Sequence, residues 1–307
     1  MLRRLLWSAL LLSALPMAGH AATPPQVVVS IAPIHSLAAG VMEGVAEPTL
    51  LVSSDRSPHQ YMLKPSQMFS LQRADLVVWV GPGVESFLPR VLDSLWADVQ
   101  VLELLRLPGM TLWPARSGGV WAGHEPDHEG AHDHRDMDGH LWLDPGNAAR
   151  IVAALVNTLS ALDPAHAERY RANGERLQQD LETLDRALQA RLAPVRHIPY
   201  LVFHDAYQYF EKHYDLNPVG AVMIDPERKP GARRLSEIRE RITALEVACV
   251  FSEPQFPDKL MQVVTQGTNI RSAALDPMGM DLKPGTTLYF QLLRQLGQRL
   301  STCLRGE

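Results

Sequence analysis

QVVVSIAP (residues 26–33), HSLAAGVMEG (35–44), PTLLV (48–52), PSQMFSLQRA (65–74), DLVVWVGP (75–82), ESFLPRVLDSL (85–95) and VQVLEL (99–104) alternate short β-branched runs with longer helix-like patterns. Such alternation marks a parallel sheet whose helical crossovers cover both faces. The runs VVVS and LVVWV are almost continuously apolar, as strands buried on both faces require. A second series starts at YLVFH (200–204) and runs through YQYFEKHY (207–214), NPVGAVMI (217–224), LSEIRERITAL (235–245), ACVFSEP (248–254), KLMQVVTQG (259–267) and SAALDP (272–277). The expected fold class is α/β, with two similar parallel-sheet lobes.

Between the series lies AHAERYRANGERLQQDLETLDRALQARL (165–192). Tyr170, Leu177, Leu181, Leu184, Leu188 and Leu192 recur at spacings of three, four or seven and form one apolar stripe. Pro164 stands where a helix would begin, with Asp163 as candidate N-cap, and Pro194 stands where it would end. At 1.5 Å per residue such a helix spans roughly 40 Å, enough for one rigid strut running along both lobes. The expected partition is a leader at 1–21, a first lobe at 22–163, a connecting helix at 164–193 and a second lobe at 194–307. Within the first lobe, SGGVWAGHEPDHEGAHDHRDMDG (117–139) has no periodicity and reads as a long exposed loop.

The leader begins with two arginines, continues with an apolar run from Leu5 to about Leu15 and closes on Gly19, His20 and Ala21. This is the pattern of a cleaved secretory signal, and the run is shorter than the about 20 residues that cross a bilayer. The expected compartment is therefore outside the cytoplasm, and no later segment reads as membrane-spanning. No lipobox cysteine follows the signal, which leaves a lipid-anchored adhesin unsupported. With 34 acidic residues against 29 Lys and Arg in 307 positions, the charge balance argues against nucleic acid as a partner. Cys249 and Cys303 are the two cysteines. In an exported chain they read as a disulfide tying a terminal helix to a buried strand, with two buried free thiols as the alternative.

Five of the twelve histidines, His124, His128, His132, His134 and His140, fall within seventeen residues. The first four sit among acidic residues of the loop, which reads either as a solvating linker or as a weak auxiliary collector of divalent cations. Three histidines stand in sharply defined contexts: His59 in SPHQYMLKPS, His140 in GHLWLDP and His204 in LVFHDAYQYF. Asp276, in AALDPMG, is a fourth candidate of the same kind. Each adjoins a strand-like run or a turn, where α/β folds place ligand groups. Their long separations exclude a zinc finger with local spacing. Asp205 and Glu253 are the nearest candidates to accept a ring N–H. His35 reads as a helix-start residue, and His166, His197 and His213 as solvated.

The strings SPHQYMLKPSQMFSLQRADLVVWVGPGVESFL, GHLWLDP, FHDAYQYFEKHYDLNPVGAVMIDPERKPGARRLSEIRERI, CVFSEPQF and LDPMG closely resemble the high-affinity zinc-binding periplasmic proteins of ABC importers, the ZnuA-like members of the metal-binding solute-receptor superfamily. The resemblance covers essentially the whole mature chain. It implies two lobes joined by a rigid helix, a metal cleft between them, and a bridge like Cys249 to Cys303. It places the zinc-ligating histidines on His59, His140 and His204, and Asp276 on the carboxylate that completes or borders the site. Some zinc receptors carry a Glu just before the first ligand, where this chain has Pro58, so the fourth position falls to Asp276 or water. The manganese receptors of the superfamily carry Glu at the third position, where this chain has His204.

Neutral imidazoles suit Zn²⁺, and three of them leave room for one oxygen in a tetrahedral shell. The function the resemblance implies is capture of Zn²⁺ in the periplasm by a monomer that delivers it to a membrane permease with a cytoplasmic ATPase. The competing readings are a manganese receptor of the same superfamily and a secreted zinc hydrolase. No HExxH pair, Gly-x-Ser-x-Gly elbow or close carboxylate pair supports the hydrolase.

Overall fold

The computed structural model of the chain describes residues 23–116, 137–223, 230–256 and 259–307. The leader at 1–21 and the loop histidines His124, His128, His132 and His134 lie outside them.

Strands β1 (Val27–Ile31), β2 (Thr49–Val52), β3 (Leu76–Trp79) and β4 (Gln100–Glu103) form a parallel sheet in the order β2-β1-β3-β4. Strands β5 (Tyr200–His204), β6 (Pro218–Met223), β7 (Cys249–Ser252) and β8 (Arg271–Ala274) form a second in the matching order β6-β5-β7-β8. The same winding in the same chain order makes the lobes structural repeats. Every residue of β1, β3 and β5 is buried, which is why these segments read as unbroken apolar runs.

Helices α1 (Ala32–Val41), α2 (Pro65–Gln72) and α3 (Pro89–Leu92) serve the first sheet. The helix expected over ESFLPRVLDSL shrinks to the single turn of α3, because Pro89 can only open a helix and the residues before it are folded into a turn on Gly81. Helix α4 (Pro145–Leu162) lies outside the two series and the connector expected from the sequence. Asp144 caps it, with Oδ1 accepting the Gly146 N–H at 2.7 Å.

Helix α5 (Ala167–Leu192) is the long connector, and its whole apolar stripe from Tyr170 to Leu192 is buried. It does not begin on Asp163 as expected. A 3-10 turn, Pro164–His166, precedes it, and the Asp163 carboxylate leaves the backbone uncapped. That carboxylate instead accepts the Tyr170 hydroxyl at 2.8 Å and pairs with His166 Nδ1 at 2.7 Å. The connector lies so close to α4 that a Cβ on Gly174 would stand 2.5 Å from Val156 Cγ2.

Helices α6 (Gln208–His213), α7 (Ala232–Ala244), α8 (Lys259–Thr265) and α9 (Leu288–Arg305) complete the second half. The terminal α9 is bonded to β7 through Cys249–Cys303, with Cα atoms 6.2 Å apart. It also reaches across to the first lobe, where the Tyr289 N–H donates to Ser36 Oγ of α1 at 3.0 Å and the Tyr289 hydroxyl donates to the Trp142 carbonyl at 2.8 Å. One apolar core consequently runs through both sheets by way of α4, α5 and α9, and a smaller one around Phe203, Ile238, Val250 and Val264 covers the outer face of the second sheet. Among the described residues no helix is long and apolar enough to cross a membrane.

Candidate metal centre

Three separate elements bring the histidines together. His59 stands in a 3-10 turn, Pro58–Gln60, beyond β2. His140 stands immediately before another, Leu141–Leu143, and His204 is the last residue of β5. One nitrogen from each lies within 4.8 Å of the others, and the ring centroids are 5.0, 5.4 and 5.5 Å apart. His59 Nε2 and His140 Nε2 are 3.4 Å apart. Two nitrogens on a tetrahedral zinc at about 2.0–2.1 Å lie roughly 3.3–3.4 Å from each other, so this spacing fits one shared ion.

Two of the rings have a hydrogen-bond partner besides their neighbours. His140 Nδ1 lies 2.7 Å from Asp138 Oδ1, and His204 Nδ1 lies 3.3 Å from Glu253 Oε2. The Gly83 backbone lies beside the His59 ring and favours its charged form. Partners of this kind fix the tautomer and turn Nε2 of His140 and His204 toward the common point. The electrostatics differ between rings. Burial, followed by the two neighbouring imidazoles, holds His59 well below the usual histidine range and keeps it neutral. Burial also disfavours a charged His204, but Glu253 and nearby carboxylates outweigh it and the net shift is upward.

Of the two expected ring partners, Glu253 touches a ring and Asp205 does not. Asp205 Oδ1 faces Arg116 at 3.6 Å, and burial raises its carboxyl to about 7 against the pull of that guanidinium. The partner missed in the sequence is Asp138, which reads there as one more acid of the loop. Its Oδ1 also accepts the His140 backbone N–H at 3.0 Å, and the signal available was an Asx residue two positions ahead of a candidate ligand.

Asp138 is held in turn by α6: Gln208 Nε2 donates to its Oδ2 at 3.2 Å and Tyr209 hydroxyl to its carbonyl at 2.8 Å. Arg116 ties the same region together, donating to Gln208 Oε1 at 3.1 Å and pairing with Glu211.

Asp276 does not join the group of donor atoms formed by the three histidines. Its Oδ1 accepts from Gln255 Nε2 at 2.7 Å, Met278 N at 2.9 Å and Gly279 N at 3.0 Å, and its Oδ2 accepts from Met280 N. Gln255 Nε2 also donates to the Ser54 carbonyl at 3.2 Å, across the mouth between the lobes.

The other histidines stand apart. His35 bonds to the Pro48 carbonyl at 2.9 Å, His166 pairs with Asp163, and exposed His197 accepts from Arg196 Nε at 3.1 Å. His213 is not solvated as expected but clamped, with Nδ1 3.0 Å from Asp144 Oδ1 and Nε2 2.9 Å from Asp185 Oδ1.

The sequence profile of the family described as "ZnuA: Zinc-uptake complex component A periplasmic" matches residues 27–303. The chain is 38% identical over 306 residues to the "High-affinity zinc uptake system protein ZnuA" of Brucella abortus (strain 2308), and 36% identical over 290 residues to the protein of the same name from Yersinia pestis. Each alignment covers 91% of both chains. A solved structure described as "Crystal structure of ZnuA" superposes with a TM-score of 0.77, covering 92% of this chain and 99% of the other. At 22% identity that likeness is one of fold.

Proposed function

The chain belongs to the ZnuA family of periplasmic zinc-uptake components, and from that premise we propose that it captures Zn²⁺ on His59, His140 and His204 and hands it to the permease of an ABC importer. The observation that carries the ligand assignment is the convergence of three imidazole nitrogens within 4.8 Å. Three nitrogens and one oxygen suit zinc, whereas manganese would call for a more oxygen-rich shell, so the manganese alternative is not favoured. The hydrolase alternative is not favoured either, because the relatives that match over nearly the full length are named as uptake proteins.

Water takes the fourth position in this reading, with Asp276 bordering the site, since the Asp276 oxygens already serve four donors. The receptor acts as an exported monomer freed of residues 1–21, and its delivery partners are a membrane permease and the ATPase that drives it. His124, His128, His132 and His134, in the segment that precedes His140 in the sequence, form a weaker collecting group, which calorimetry on the mature chain would register as a second, shallower zinc event.

The test of the main reading is the metal content of protein isolated from the periplasm without added metal, combined with zinc-edge absorption. Stoichiometric zinc with three imidazoles supports it. Another metal, or a shell dominated by oxygen, overturns it.

A further inference from the structure

Glu85 has no exposed surface and stands outside the donor set. Its Oε1 accepts the Ser30 hydroxyl and, at 3.1 Å, the Val80 N–H, and its Oε2 accepts the Gly81 N–H at 3.0 Å. These donors sit at the C-terminal ends of the adjacent strands β1 and β3, where the strand order reverses and α/β folds bind their ligands. The N–H groups of Val84 and Glu85 return to the Gly81 carbonyl at 3.1 and 3.0 Å, closing a tight turn over the carboxylate.

That turn meets two of the three histidine segments. Ser86 Oγ donates to the His59 carbonyl at 3.5 Å, and the Gly83 backbone lies beside the His59 ring. On the other side, a Cβ added to Gly139 would stand 2.4 Å from Val84 Cγ2, so the backbone just before His140 rests directly on the turn.

The second lobe repeats the device in shorter form. Glu253, just after the third strand β7, reaches His204 at the end of the first strand β5. In the first lobe Ser30, the last residue but one of β1, donates to the glutamate, and the glutamate reaches the histidines through its turn.

We propose that Glu85 is a positioning residue of the metal centre, a buried carboxylate that pins the 81–86 turn on which His59 and His140 are set. Buried with no cationic partner among the described residues, its carboxyl is raised to about 7. The proposal rests on the reading that these histidines hold the zinc.

The test compares Glu85→Ala, Glu85→Gln and the core truncation Leu159→Ala in the full mature chain. Zinc affinity is measured by competition with a chelating dye, geometry by the visible spectrum of the Co²⁺-loaded protein, and melting temperature is recorded alongside. Glu85→Ala weakens zinc by about tenfold and shifts the Co²⁺ bands, in the range seen when groups that orient metal ligands are lost. Glu85→Gln keeps the side-chain shape and recovers part of that affinity. Leu159→Ala melts earlier with zinc affinity unchanged. If Glu85→Ala fails to fold, a several-fold loss with shifted bands in Glu85→Gln makes the case alone.

Wild-type affinity and spectrum in the Glu85 variants that fold, or an equal zinc loss in Leu159→Ala, overturns the proposal. His59→Ala and His140→Ala run in parallel: wild-type binding in those variants overturns the ligand reading itself, whereas their loss beside an unaffected Glu85→Ala overturns only the positioning role.

Discussion

Asp138 Oδ1 accepts two hydrogen bonds from the same residue, from His140 Nδ1 at 2.7 Å and from the His140 backbone N–H at 3.0 Å. The imidazole and the main chain that carries it are thus oriented by one oxygen, while the other oxygen is held by Gln208 from α6 of the opposite lobe. The ligand's outer partner is therefore also a bond between lobes. Asp138→Ala is expected to weaken zinc by roughly 10–100-fold, about 1.4–2.8 kcal/mol. Asp138→Asn should lose less, because its amide oxygen still accepts both bonds from His140 and only the bond from Gln208 is lost. Dye-competition titration checks this, and unchanged affinity in both variants would remove Asp138 from the site.

What the sequence makes legible is what has a local period or a distinctive side chain. The stripe from Tyr170 to Leu192 announces α5, and the apolar runs around Val28 and Val77 announce strands covered on both faces. His59, His140 and His204 stand out by residue type and setting. The approach of the Gly83 backbone to His59 could not be found that way, since it depends on the turn at Gly81 and on no side chain. Neither could the contact of Gly174 with Val156, or the docking of Tyr289 on Ser36, which joins positions 253 residues apart. Asp205 illustrates the opposite error: adjacency to His204 in the chain suggests contact, but successive residues at a strand end point to opposite sides.

Asp276 tests the composition of the zinc shell. With its carboxylate spent on Gln255 and three backbone N–H groups, Asp276→Asn is expected to change zinc affinity by less than tenfold, provided that the amide keeps most of those bonds. A loss above about a hundredfold, with one oxygen fewer at the zinc edge, would instead make Asp276 a direct ligand.

The Cys249–Cys303 bridge closes a loop with a sequence separation of 54 and anchors α9, which itself packs against α1 and α5. Chain entropy puts its contribution at about 4 kcal/mol. Cys249 opens β7, whereas Glu253 lies beyond the strand's other end, so the bridge is remote from the donor atoms. Replacing both cysteines with serine should lower the melting temperature while leaving zinc affinity within a few-fold. A parallel loss of affinity in calorimetry would show that the bridge shapes the cleft.

His213 gives the protein a pH-dependent joint between three elements: its ring on α6 bonds Asp144 at the cap of α4 and Asp185 on α5. The hydrogen bond to Asp144 is the largest influence and raises the histidine pKa, burial opposes it, and the charges of Asp144 and Asp185 add to the rise. A folded pKa above the unfolded value means that the imidazolium is favoured in the native state. Its stabilising contribution is complete below about 6.5 and fades as pH rises through the higher folded value. Because the ring is partly open to solvent, screening limits the contribution to about 1 kcal/mol. Urea unfolding of the zinc-free protein should therefore show His213→Gln less stable than wild type at pH 5.5, with the gap narrowing by pH 8.5. An equal gap at both values would mean that the ring holds the joint by neutral hydrogen bonds alone.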